Sequence, residues 1–159
     1  MKFLRKKNDE IYRLGSMQAR IFAKSAQDHI PSYFFIQCFM NSEDSKSLDD
    51  LSFLLSGSSE LEIYQNVSSK VKRRNGIVYP EEIMHWIGFF YRYASYLTNI
   101  DSSKLFKNIS PQYLNKIYPA YHGVDIEKAI EMVFKDINYK EETPLEKMMR
   151  LYKSGKLIL

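Results

Sequence analysis

Apolar residues recur along most of this chain at intervals of three and four, the spacing that gathers them on one side of an α-helix. The clearest run spans residues 80–99. Pro80 opens it, Glu81 and Glu82 fill its first turn, and Ile83, Trp86, Ile87, Phe90, Ala94 and Leu97 form one stripe. Met84, Gly88 and Tyr91 widen that stripe. A helix apolar over most of its circumference belongs in the middle of a fold, so Trp86 and Phe90 are expected near the centre of the core.

Other elements follow from the same period and from caps. A first helix is predicted over Asp9 to Gln27, with Ile11, Leu14, Phe22 and Ala26 on its apolar side and Gly15 as a weak point. His29-Ile30-Pro31 ends it, because the residue before proline avoids helical angles. A second helix starts with Pro31 in its first turn and stops at Asn41-Ser42. Residues 42–59 carry seven serines with Glu43, Asp44, Asp49 and Asp50, and are read as a polar loop holding one short helix and open to a partner. A third helix runs from Ser59 to Arg74, capped by Ser59 and stopped by Asn75-Gly76. Ile77-Val78-Tyr79 has the composition of a short strand, but one such run makes no sheet.

Downstream, Asp101-Ser102-Ser103 opens a short helix and Ser110-Pro111 opens another, which Pro119 is expected to break. Asp125 caps a helix through Ile126, Ala129, Ile130, Val133, Phe134 and Ile137. A last helix follows Thr143-Pro144, and its Met148, Met149, Leu151 and Tyr152 read as docking residues; Leu157-Ile158-Leu159 forms an apolar tail. The expected fold is all-α: one compact multi-helix domain over 1–159 around a central buried helix, with a C-terminal helix and tail over 140–159.

Composition agrees with a packed domain. Of 159 residues 45% are hydrophobic and 14% aromatic, too many for a disordered chain. Cys38, the one cysteine, excludes an internal disulfide and a cysteine-based zinc site; within Phe34-Phe35-Ile36-Gln37-Cys38-Phe39-Met40 it reads as a buried thiol. No stretch approaches the roughly 20 apolar residues of a membrane span. Asn8-Asp9-Glu10 follows the basic start where a signal peptide would place its apolar region, so the expected location is the cytoplasm. The net charge of +4 is a mild excess. Its clusters, Arg5-Lys6-Lys7 and Lys70 with Lys72-Arg73-Arg74, read as solvated helix ends rather than a phosphate grip.

Candidate chemistry is sparse. His29, His85 and His122 sit at no metal-ligand spacing, and the six glycines form no phosphate cradle. The adjacent pairs Asp49-Asp50 and Glu141-Glu142 read as solvated carboxylates. Helical ribonuclease toxins of the HEPN type set an arginine only a few residues before a histidine; here eight residues separate Arg20 from His29 and ten separate Arg74 from His85. A helix-turn-helix reading of residues 102–118 meets a second helix with a single cation, Lys116, and aromatics suited to packing. No catalytic residue, metal ligand or cofactor is therefore expected, and nucleic acid is not the expected partner.

The central helix carries a second row opposite its core stripe, His85, Phe89, Arg92 and Tyr96. This row is either a second packing face with Arg92 hydrogen-bonded inside, or a partner-binding patch, since tyrosine and arginine concentrate at interface hot spots. Tyr121-His122, at a turn, presents the same choice between a capped turn histidine and a contact.

Four segments together resemble a family of small helical proteins of Gram-positive bacteria. They are Ile83-Met84-His85-Trp86-Ile87-Gly88-Phe89-Phe90-Tyr91-Arg92-Tyr93, then Ser102-Ser103-Lys104-Leu105-Phe106, then Tyr118-Pro119-Ala120-Tyr121-His122, and Asp125-Ile126-Glu127-Lys128-Ala129-Ile130-Glu131. Met17-Gln18-Ala19-Arg20-Ile21-Phe22 also fits that family's first helix. The resemblance covers about half of the chain, chiefly Glu82 to Glu131; Ile126 stands where the family often has proline, and Ala94-Ser95 replaces a bulkier aromatic pattern. Such proteins are often encoded in small operons and are taken for antitoxins, some beside toxins that look like ADP-ribosyltransferases. The resemblance thus implies a non-enzymatic antitoxin that binds a cognate toxin directly, as a homo-oligomer or hetero-oligomer. Its expected contacts are His85, Arg92, Tyr96, Tyr121 and His122, with the 42–59 loop. The alternatives are a small helical toxin with its own enzymatic activity and a DNA-binding repressor.

Overall fold

The structure is a computed structural model and describes residues 9–71 and 75–155. The basic runs Arg5-Lys6-Lys7 and Lys72-Arg73-Arg74 and the tail Leu157-Ile158-Leu159 lie outside the described residues. The described chain forms ten α-helices and no strand: α1 (Asp9–Gln27), α2 (Ser32–Met40), α3 (Glu43–Asp49), α4 (Phe53–Ser56), α5 (Glu60–Ser68), α6 (Glu81–Thr98), α7 (Ser102–Asn108), α8 (Pro111–Tyr121), α9 (Ile126–Asp136) and α10 (Pro144–Lys153).

The fold is organised by one pair of helices. α1 lies along α6 in the largest helix–helix contact of the molecule. Small residues let the two backbones meet. A Cβ on Gly88 would stand 2.8 Å from the Gln18 carbonyl oxygen and 2.9 Å from the Phe22 ring, and one on Gly15 would stand 3.0 Å from the Phe89 ring. From Ile87 to Thr98 every residue of α6 except Phe89 is buried. The helix is therefore covered on all sides, as expected for the fold's centre. α2 closes one flank, where Phe35 and Phe39 meet the edge of Phe22 at 5.8 and 5.1 Å between ring centres. These aromatic pairs add to the area they bury.

Local signals place the helix ends. α1 stops in a Schellman motif: His29 takes φ 57°, its N–H donates to Ala26, and the Ile30 N–H donates to Ser25. The same arrangement ends α9 at Asn138, with the ring of Tyr139 resting 5.2 Å from that of Phe134. Ser42, Ser59, Asp101, Ser110, Asp125 and Thr143 each accept a first-turn backbone N–H.

Five expectations are corrected. Residues 42–59 are no loop with one helix but two helices, because Ser42 caps α3 and Leu48 is fully buried, anchoring the segment to the core. Pro119 does not break α8. It sits in the last turn, where little helix follows, and the helix continues to Tyr121. Ile77-Val78-Tyr79 is not a strand: it is pinned to the start of α2, with the Ser32 N–H donating to Ile77 at 3.0 Å and the Tyr79 N–H donating to Ser32 Oγ at 2.8 Å. Trp86 is only half-buried, because it lies near the emerging end of α6, while Phe90 one turn on is fully buried. The third helix is also shorter than predicted, ending at Ser68.

Candidate partner-docking surface

The predicted row on α6 divides. Arg92 and Tyr96 are fully buried and offer a partner nothing, which corrects their reading as contacts. Arg92 is instead the hub of a polar network. Its Nε donates to Gln18 Oε1 at 2.7 Å, Nη1 to Asp49 Oδ1 at 2.5 Å, and Nη2 to the Ser102 hydroxyl at 3.1 Å and the Ser45 hydroxyl at 3.3 Å. Asp49 in turn accepts from the hydroxyls of Ser95 at 3.2 Å and Ser102 at 2.6 Å, and from the Ser102 N–H at 2.9 Å. The Tyr96 hydroxyl donates to the Leu48 carbonyl at 2.6 Å, and its ring lies 5.4 Å from the guanidinium. The network thus joins α1, α3, α6 and α7. It is the packing alternative for this row. Asp49 is accordingly not the solvated carboxylate its neighbour Asp50 is, but a nearly buried counter-ion.

His85 is exposed and stands apart from Arg92, beside Arg20 and Glu81. Partial burial, then the Arg20 charge, holds its imidazole below the usual histidine value, while Glu81 opposes them. Arg20 itself pairs with Glu60 across α1 and α5, Nη2 to Oε1 at 2.8 Å.

Tyr121 and His122 fall in a different setting, an aromatic row at the surface of α6 and α8. Ser110 caps α8 and Pro111 fills its first turn; Pro111 and Leu114 turn inward. That register leaves Tyr113, Tyr118 and Tyr121 half-exposed. The Tyr118 ring stands edge-on to Trp86 at 5.7 Å, and Trp86 rests on Phe90 at 5.3 Å, so the row is rooted in the core. On its other side Tyr118 stacks with His122, ring centres 4.3 Å apart and planes within 14°. His122 Nδ1 lies 2.8 Å from the Tyr118 carbonyl oxygen. That oxygen only accepts, so Nδ1 carries the proton and Nε2 is left for another group.

Asp136 of α9 fixes the tyrosines beside the row. Its Oδ2 accepts from the Tyr113 hydroxyl at 2.9 Å and from the Tyr121 hydroxyl. These bonds, Tyr121's first, hold the Asp136 carboxyl below its ordinary value. The same bond raises the Tyr121 hydroxyl, and burial followed by Asp136 raises that of Tyr113. Both phenols stay protonated at neutral pH and are already committed as donors. The surface offers ring faces, one imidazole nitrogen and fixed hydroxyls, which suits contact by shape and stacking. Among the described residues, no three of histidine, cysteine, aspartate and glutamate are grouped as metal ligands, and no helix is long and apolar enough to cross a membrane.

The structure therefore brings Tyr121 and His122 together with Trp86, Tyr113, Tyr118 and Asp136, and leaves His85 apart. Asp136 and Tyr113 escape a reading from sequence because neither has a local motif. Asp49 had one usable signal: an arginine in the central buried helix calls for a counter-charge, and Asp49 follows a leucine inside an apolar island. Compared with models of known protein families, with curated proteins and with solved structures, the chain matches none.

Proposed function

We propose that this chain is an antitoxin-like protein that works in the cytoplasm, without enzymatic activity, by binding a cognate toxin through the aromatic row. The observation that carries this reading is the contact of Trp86, Tyr118 and His122 at the surface. Trp86 rests on the buried Phe90, and the neighbouring Tyr113 and Tyr121 are fixed by Asp136. Tryptophan and tyrosine dominate interface hot spots because they bring large rigid contact area with a polar tip. A surface already fixed before binding loses little further freedom on association. The resemblance adds support, since two of its segments, distant in sequence, supply this row: Trp86 comes from the first and Tyr118 with His122 from the third.

Co-expression with the product of the neighbouring gene tests the proposal. That product should arrest growth alone, should be neutralised by this chain, and should co-purify with it. The interface should bury about 1,600 Å² or more. Tyr118→Ala and His122→Ala should each weaken the purified complex by about tenfold or more, with unchanged folding by circular dichroism. A complex indifferent to both substitutions refutes the role of the row, and failure to form any complex refutes the antitoxin reading.

A further inference from the structure

One window stays open in the covered part of α6. Phe89 alone of residues 87–98 is not buried. Gly15 of α1 makes room for its ring, since a Cβ there would stand 3.0 Å from it. Tyr12 of α1, 50% exposed, meets the Phe89 ring edge-on at 5.0 Å between centres. Phe89 in turn stacks on Tyr93 at 5.5 Å, with the planes 19° apart. Tyr93 is fully buried, and its hydroxyl has no well-formed hydrogen bond. A buried hydroxyl left in that state is uncommon and costs stability. The charges it faces are those of Glu127 and Asp125 at the start of α9, with the Tyr12 phenol close by. Burial, then these two carboxylates, push it up to about 12. Three aromatic side chains and two carboxylates, from α1, α6 and the start of α9, thus meet at one place. The patch adjoins the aromatic row, for Phe89 follows Trp86 by three residues on α6 and Asp125 follows His122 by three.

The negative charge of the patch is not balanced from within. Asp125 accepts the Glu127 N–H at 3.0 Å as the α9 cap, which leaves its charge in place. Among the described residues, no lysine or arginine is paired with Asp125 or Glu127. Arg13, next to Tyr12, pairs with Glu10. Lys128 is exposed, and at about 100° per residue it lies on the solvent side of α9, away from the buried Ala129, Ile130, Val133 and Phe134. The chain as a whole carries +4, so the patch attracts cations by its local charge and not by the charge of the molecule. Carboxylates beside aromatic rings suit a guanidinium in particular. It stacks on rings, donates to carboxylates in a fixed fork, and is more weakly hydrated than an ammonium.

We propose that this patch receives an arginine of a partner protein, laid on the rings of Tyr12 and Phe89 and paired with Glu127 and Asp125. The inference rests on the partner-binding reading above and names the chemistry that the partner brings beside the row. The probe is a short peptide of alternating arginine and glycine, blocked at both ends. It is titrated into the intact chain and followed by amide NMR, with its lysine and glutamate counterparts in parallel. The arginine peptide should shift the signals of Tyr12, Phe89 and Glu127 saturably. It should bind about threefold or more tighter than the lysine peptide, and weaken as salt rises toward about 1 M. Asp125→Asn with Glu127→Gln keeps a capping side chain on α9 and should weaken binding about tenfold. Tyr12→Leu should weaken it about threefold. Tyr12 is half-exposed, so this variant decides the matter if the acid pair fails to fold. Glu43→Gln with Glu62→Gln removes the same charge from α3 and α5 and should change nothing. The proposal is overturned by the absence of a saturable shift, by shifts confined to another surface, or by equal binding of the lysine or glutamate peptide. It is also overturned if the folded acid variant or Tyr12→Leu binds like wild type, or if the control pair weakens binding equally. The acid variant should then be co-expressed with the neighbouring gene's product. If that product co-purifies equally with wild type and variant, the arginine site falls and the antitoxin reading stands. If it binds neither while the arginine peptide still distinguishes them, the antitoxin reading falls and the arginine site stands.

Discussion

A guanidinium withdrawn from water is costly unless its donors are met and its charge is balanced. Arg92 meets both conditions through Asp49, Gln18, Ser45 and Ser102. Asp49→Ala should therefore destabilise the fold by about 3–5 kcal/mol in urea unfolding, because it strands a buried cation. Replacing both partners by apolar residues, Arg92→Met with Asp49→Leu, should cost much less than the sum of the single changes. His29 offers the opposite sign. It holds φ 57° at a helix end where glycine is at ease. His29→Gly should raise stability by about 0.5–1 kcal/mol in the same assay. Asp136 predicts a pH effect. Its carboxyl titrates lower folded than unfolded, so its contribution is complete above the ordinary carboxylate range and is lost as pH falls through the lowered value. Tyr121→Phe should move the Asp136 titration upward, read from its carboxyl carbon by NMR. At this scale the sequence was least legible. A helical wheel shows that Arg92 faces away from the first stripe, and a second packed face and a solvated face look alike on it. Burial of both faces is a fact about the surrounding helices, not about the period.

Among the elements, the crossing of α1 and α6 is the contact that others build on. Gly88→Ala tests it. Alanine is intrinsically better in a helix by about 1 kcal/mol, but its methyl group would meet backbone atoms of α1 at 2.8 and 3.0 Å. Backbone yields poorly, so the net effect should be a loss of roughly 1–3 kcal/mol in thermal or urea unfolding. The helices themselves were largely readable, because each predicted start carries a capping residue, a proline or both, and because α1 keeps its period over nineteen residues. The 42–59 segment was not readable for a definite reason. Its serines and acids serve as caps and as the Arg92 counter-ion, and a single leucine, Leu48, does the anchoring. Composition cannot separate those uses from solvation. Pro119 misleads similarly, since proline is excluded from a helix interior much more strictly than from its closing turn.

The whole molecule divides into a tightly packed body and an appended helix. Truncation after Lys140 should therefore leave the cooperative unfolding of the remaining chain nearly unchanged, with a midpoint within about 2 °C by differential scanning calorimetry, because α10 adds nothing to the core. A drop of ten degrees would show that α10 supports the body. The aromatic row and the exposed apolar residues of α10 were not visible in full beforehand. The row joins residues from α6 and the end of α8, so it exists only after folding. The methionines of α10 could be read as docking residues, and in the fold they stand exposed.

Cys38 has a use that its chemistry suggests. Its thiol points from α2 to the Val67 carbonyl of α5, 3.8 Å away, and burial holds it in the protonated form. Alkylating reagents attack only the thiolate, and Cys38 is half-buried rather than enclosed as its apolar neighbours suggested, so its labelling is slowed both by the raised thiol and by the partial cover of α5. With no other sulfhydryl in the chain to compete, the labelling rate at a fixed alkaline pH reports on this one junction of α2 and α5, read from the native protein without introducing a tag.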